Sequence, residues 1–200
     1  MKMIYPTDTH VMCLQDEVHL WQGNGFNIFT SIDTRDHSKR DNELKNHNME
    51  LPTKFNKTYC AYEKAPDYFD KFPGIVGCYL SHYHGWKKAS SLKPDEWLLI
   101  IEGDANVPDA KKVLQNGVPF HAPPVNVINL GYRGWKGAEA YLINCDAAKI
   151  LIDLTGNTIK ASPDLFMFKP GLPGRENGII QRDIKMVRLI ERKSFIHTIK

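Results

Sequence analysis

The run Trp97-Leu98-Leu99-Ile100-Ile101-Glu102-Gly103-Asp104 decides how the chain is read. Five consecutive apolar residues, with no polar residue alternating among them, suit a central strand buried on both faces. The run ends abruptly in two carboxylates that flank a glycine. Working outward, residues 10–14, 26–32, 125–130 and 141–143 read as further strands, rich in aliphatic and β-branched side chains. A helix is predicted from Gly74 until Lys93-Pro94-Asp95 stops it. Its Tyr79, Tyr83 and Trp86 recur at i, i+4 and i+7 and so share one face. Shorter helices are expected over 109–114 and from an Asn144 or Asp146 cap through Ile152. Another element starts at Pro163, and 179–190 closes the chain as a strand or a helix. The polar stretch 34–57 reads as a loop, as do 119–124, 131–137 and 171–178, while 65–73 is aromatic and turn-rich. Strands alternating with helices give an α/β fold class, a mixed sheet flanked by helices. With no internal repeat and no linker, residues 1–200 are expected to form a single domain.

Composition narrows the function classes. Apolar residues make up 42% and charged residues 24% of the 200, the profile of a globular protein rather than a disordered one. No apolar stretch approaches the ~20 residues of a membrane span, and the first residues lack a signal-peptide core, so a cytoplasmic location is expected. The net charge of +3 is too mild for a dedicated nucleic-acid binder. The segment 175–200 is more basic than the rest, and a basic tail can meet an anionic partner. The four cysteines, Cys13, Cys60, Cys78 and Cys145, form no CxxC pair, and reduced, mostly buried thiols are expected.

Three places can carry chemistry. In α/β sheets ligands collect at the carboxyl ends of strands, and the central strand delivers Glu102 and Asp104 there. Residues i and i+2 of extended chain point the same way, so the two carboxylates can converge. They form an oxygen site for Mg²⁺ or Mn²⁺, a cation that typically bridges diphosphate oxygens. The second place is Cys78-Tyr79-Leu80-Ser81-His82 on the long helix. A histidine among aromatic residues is more often packed and hydrogen-bonded than catalytic. His82 and His84, two apart on a helix, do not share a face, which argues against a zinc pair there. The third is Asp164, at the mouth of an apolar element, where it can serve as a general base or simply cap a helix. Asp33 ends the second strand in a similar way.

Taken together, these segments resemble glycosyltransferase family 25, the lipopolysaccharide and collagen galactosyltransferase type. Gly74-Ile-Val-Gly77-Cys78-Tyr79-Leu80-Ser81-His82, then Trp86, then Leu98-Leu-Ile-Ile-Glu102-Gly103-Asp104 follow the order and spacing of its central motif. Further likenesses are Ile128-Asn129-Leu130, Ala140-Tyr141-Leu142-Ile143 with Ala147 to Leu151, Pro163-Asp164-Leu165, Ser194-Phe195-Ile196 and Ser31-Ile32-Asp33. The chain departs from the pattern at Val76, which replaces a glutamate, and at Gly103, which replaces the middle aspartate. The family's arginine motif near the first strand is absent. The resemblance implies a GT-A-like, nucleotide-sugar-binding fold and metal-dependent transfer with inversion from a nucleotide-sugar donor, UDP-linked, to a hydroxyl of a surface glycan or lipooligosaccharide. It implies Glu102 and Asp104 as ligands of Mn²⁺ or Mg²⁺. Asp33, Ser81 and His82 would join them in donor binding, with Asp164 as catalytic base and Glu139 as the second candidate. Three alternatives stand beside it: glycosylation of a hydroxymethylated DNA base in a virus, a non-catalytic nucleotide-sugar-binding module, and a metal-dependent phosphohydrolase.

Overall fold

The computed structural model describes residues 2–52, 68–120, 125–132, 137–168 and 181–188. Eight strands occur among them: β1 (Lys2–Ile4), β2 (Asp8–Cys13), β3 (Ile28–Thr30), β4 (Leu98–Glu102), β5 (Val118–Phe120), β6 (Val127–Gly131), β7 (Ala140–Ile143) and β8 (Gln181–Val187). The helices are α1 (Val18–Trp21), α2 (His37–Asn46), α3 (Tyr68–Lys71), α4 (Gly74–Ser90), α5 (Val107–Asn116), α6 (Cys145–Thr155) and α7 (Pro163–Phe168). Six strands form a mixed sheet in the order β3-β2-β4-β7-β6-β8, and β1 pairs with β5 in a separate two-stranded ribbon. β3, β2 and β4 run parallel, β7 is antiparallel to both β4 and β6, and β8 is parallel to β6. The α/β architecture read from the sequence is therefore the one observed.

The apolar run sits where its composition requires, in the middle of the sheet. Leu98, Leu99, Ile100 and Ile101 are all fully buried. Alternation sends Leu98 and Ile100 into one core with Tyr141, Tyr79, Leu80 and Trp86, against α4, α6 and α7. Leu99 and Ile101 enter a second core with Val11, Cys13, Trp21, Leu142 and Val113. The chain passes from β2 to β3 on one side of β2 and returns through α2, α3 and α4 to place β4 on the other. That reversal opens a crevice beyond the carboxyl ends of β2 and β4, the usual ligand position in such sheets.

Several local readings are corrected. The expected 34–57 loop contains α2, whose cap is Asp36: its side chain accepts from the backbone of Ser38 and Lys39. A helix of such polar composition gives almost no periodic signal. Its stability comes from Leu44 on the core and from Arg40, which pairs with Asp41 and Asp70. The expected 119–124 loop begins with β5, and the 65–73 stretch contains α3. A single 3-10 turn (Gln15–Glu17) and α1 follow β2, where no helix is expected from sequence. The closing element is a strand, β8, and Asn144 caps α6 by accepting from Ala147 N. The loop expected over 171–178 lies outside the described residues.

Candidate functional site

The end of β4 is held from three sides. Its Met12↔Glu102 register sets the end of β2 beside the acidic turn. Trp21 Nε1 donates to Gly103 O at 3.1 Å, tying α1 to the turn. A Cβ on Gly103 would lie 2.7 Å from Cys13 Cβ and 2.8 Å from Cys13 Cα. The glycine that replaces the family's middle aspartate is thus a packing requirement of this chain: β2 occupies the space a side chain would need. The other neighbour is β7, where Glu102 N donates to Glu139 O at 2.8 Å.

The first half of α4 forms the wall facing Glu102. Thr34, in the loop after β3, accepts from Gly77 N at 2.7 Å and donates to Pro73 O. Ser81 Oγ donates to Gly77 O and accepts from Ile32 N. A Cβ at position 77 would collide with Ile32 O, so only glycine permits the contact. These bonds fix the rotation of α4, and Cys78 and His82, one turn apart, face the strand end.

His82 is fully buried between two partners. Trp86 Nε1, which can only donate, bonds Tyr141 Oη at 3.0 Å. The tyrosine's own hydrogen is then available to His82 Nδ1 at 2.8 Å. Burial pushes the His82 pKa down to about 3, with Asp164 pulling weakly the other way, so the ring is neutral at pH 7. Its single proton sits on Nε2 and is donated to Glu102 Oε1 at 3.1 Å. Trp86, Tyr141, His82 and Glu102 form one directed chain of hydrogen bonds that ends on the carboxylate. Tyr141 reads in sequence as one more strand residue; its role depends on the β4–β7 register, which places it opposite Ile100 on the α4 face.

Around this chain lies a concentration of negative charge. Burial pushes the Cys78 thiol well above its ordinary pKa, and Glu102, Asp164 and Asp104 each push it further. All three carboxylates, two from the β4 end and one from α7, act on the same thiol through their charge. Oxygen donors in an anionic field are the chemistry a hard divalent cation prefers. Glu102 can accept from His82 and still offer lone pairs, a carboxylate having about four. Glu139 is only 2% exposed. Its carboxylate packs against Gly131 and Gly137, where a Cβ at either position would collide with it.

The remaining sequence candidates fall on the rim and in the wall. Asp33 and Arg35 form a two-pronged pair, Nε to Oδ1 at 2.8 Å and Nη2 to Oδ2 at 2.7 Å. The guanidinium holds the Asp33 carboxyl down to about 2. Arg35, which the sequence reading passes over, also feels Asp16 and Glu17 of the turn after β2. Ser81 is buried, with both of its bonds made inside the chain. Cys13 and Cys145 are buried free thiols, as expected, and Cys78 is a partly buried one. Arg188, from the basic segment, is bound to Asp109 through Nε at 2.8 Å and Nη2 at 3.1 Å. No anionic partner is supported there, and residues 189–200 lie outside the described part. No helix among the described residues is long and apolar enough to cross a membrane.

The chain carries a mixed α/β sheet with an acidic strand end and a helix bearing the Cys-x-x-Ser-His sequence, and its family profile is that of a glycosyltransferase. It belongs to glycosyltransferase family 25 (LPS biosynthesis protein), whose profile matches residues 14–131, more than half of the chain. A solved structure, described as the crystal structure of a glycosyltransferase involved in the glycosylation of the major capsid of PBCV-1, aligns over 94% of this chain and 95% of its own. The identity is 12% and the TM-score 0.41. No curated protein matches.

Proposed function

We propose that the protein transfers a sugar, with inversion, from a UDP-linked donor to a hydroxyl of a glycan acceptor, using a GT-A-type site in which Glu102 and Asp104 hold Mn²⁺ or Mg²⁺. The observation that supports this reading is the acidic end of β4, where Glu102, bonded by His82, lies beside Cys78 and Asp104 follows two residues on. When bound, the cation supplies positive charge that offsets the charge developing on the leaving diphosphate.

The chain's own residues divide the remaining tasks. Asp164, half-buried at the start of α7, accepts the proton of the attacking hydroxyl. Glu139 is the weaker candidate for that step because it is lodged between two glycines and nearly sealed from solvent. Asp33, kept ionised by Arg35, accepts from the nucleoside side of the donor. Ser81 and His82 belong to the donor site as its wall: Ser81 sets the rotation of α4, and His82 orients Glu102. A non-catalytic module is disfavoured because Gly103 has a steric reason to be glycine and both carboxylates of the pair remain.

The test is a thermal-shift panel of nucleotide sugars with Mn²⁺, followed by assay of nucleoside diphosphate release. A ligand that binds only the native state at 100 times its Kd stabilises it by about 2.7 kcal/mol. Asp104→Ala should lose both the shift and turnover, and Asp164→Asn should keep the shift and lose turnover. Wild-type turnover in Asp104→Ala would end the metal assignment. Release of inorganic phosphate in place of intact nucleoside diphosphate would make the protein a phosphohydrolase.

A further inference from the structure

We propose a second metal site, for a borderline-soft ion such as Zn²⁺, formed by Cys78 Sγ, His82 Nε2 and Glu102 Oε1, with occupancy that competes with the hard-cation site. The three ligand atoms lie within 4.8 Å of one another. Two of the separations are 3.9 Å for Sγ to Oε1 and 3.1 Å for Nε2 to Oε1. A tetrahedral ion bound at ordinary Zn–S, Zn–N and Zn–O lengths needs ligand atoms about 3.3–3.6 Å apart, so small side-chain adjustments complete the cradle. Cys78 and His82 occupy successive turns of one α4 face, and the sheet supplies the third ligand. The Glu102 side chain is 29% exposed, which leaves an entry route and room for a water as fourth ligand.

Loading conserves protons. The Sγ–H bond of Cys78 breaks as the metal–sulfur bond forms, and that proton leaves to solvent. His82 remains neutral by changing tautomer: the proton leaves Nε2, whose lone pair binds the metal, one proton is taken up at Nδ1, and Nδ1–H then donates to Tyr141 Oη, whose own hydroxyl hydrogen rotates off Nδ1. That oxygen has two lone pairs and already accepts from Trp86. The result is a metal-bound histidine oriented by a hydrogen bond from its other nitrogen, the usual outer-shell arrangement. The surrounding carboxylates, which oppose a lone thiolate, favour one that shares the pocket with a dication. The ligand set differs from the Glu102–Asp104 pair in hardness: a thiolate and an imidazole select Zn²⁺ or Co²⁺ over Mn²⁺ or Mg²⁺. Glu102 belongs to both sets, so Zn²⁺ inhibits Mn²⁺-supported transfer competitively with Mn²⁺. Only this last consequence rests on the proposed reaction.

Co²⁺ is the probe, added to the full, metal-free chain. One equivalent should give a thiolate-to-cobalt charge-transfer band in the near ultraviolet, displaced by Zn²⁺ and absent from Cys78→Ser. X-ray absorption of the zinc-loaded wild type should show one sulfur at about 2.3 Å with a nitrogen and oxygen shell near 2.0 Å. This reading needs no variant. Cys78→Ser should raise the zinc concentration that half-inhibits the variant's own transfer more than about 100-fold, since even outer-shell changes cost about 10–100-fold in metal affinity. A zinc shell without sulfur, or a charge-transfer band that persists in a folded Cys78→Ser protein, overturns the site. A band with no sugar transfer from any donor keeps this site and removes the proposed reaction, and transfer without a band does the reverse.

Discussion

The two faces of β4 are built differently from the same five residues. On one, Leu99 and Ile101 enter an apolar cluster with Val11, Cys13 and Leu142. On the other, Leu98 and Ile100 lead to Glu102, and the core they enter carries the buried hydrogen-bond chain of Trp86, Tyr141 and His82. A strand that alternates its faces can thus give one to stability and the other to chemistry. The apolar face is the stiff backing against which the polar one is held in place.

That division can be broken experimentally. Ile101→Ala, on the apolar face, should cost about 2–5 kcal/mol through the cavity it leaves. Urea melts should record that loss while the transfer rate per folded molecule stays near wild type; a rate that falls with it would mean the faces are not separable. Tyr141→Phe, on the polar face, strands the Trp86 donor and releases His82, which should cost about 1–3 kcal/mol. Mn²⁺ affinity measured by titration should weaken about 10–100-fold, a loss that no comparable change on the apolar face should produce. Gly103→Ala sharpens the comparison at the junction of the faces: its Cβ has no room beside Cys13, and overpacking of this kind costs about 1–3 kcal/mol.

The last expected effect is one of pH and comes from His10, which is buried, stacks on Phe29 and is held down to about 4 from an ordinary 6.5 by burial and the nearby Lys88 charge. Between those values the unfolded chain binds more protons than the folded one, so stability rises with pH across the window and is lost on acidification through it. The slope is at most about 1.4 kcal/mol per pH unit. His10→Phe should flatten the fall in urea midpoint between pH 6.5 and about 4; an unchanged profile would assign the acid sensitivity elsewhere.

What the sequence discloses depends on how local the cause is. β4 and α4 are legible because each carries its own periodicity, an unbroken apolar run in one and rings at i, i+4 and i+7 in the other. The acidic strand end is legible for the same reason, since a run that ends in E-G-D states its own edge; that Gly103 and Asp104 turn away from the extended course of β4, with Ala105 N donating to Glu102 O, is not. α2 is not, because its hold on the fold is Arg40 reaching Asp70, a partner thirty residues away. The short β1–β5 ribbon escapes too: three residues near one end of the chain pair with three around Pro119. Asp33 is visible as a strand-ending carboxylate, but its commitment to Arg35 needs the turn geometry. The bonds from Trp86 through Tyr141 to His82 require the register of two antiparallel strands and the rotation of a helix at once, and no single stretch of sequence encodes either.

The close contact between Gly103 and Cys13 makes two distant positions share one volume. Any enlargement of the acidic turn must displace the tip of β2, because Cys13 Cα as well as its Cβ stands in the way, so Cys13→Gly beside Gly103→Ala should relieve only part of the strain. The turn and the tip of β2 therefore behave as one body, and room for a side chain at position 103 has to come from a shift of the strand.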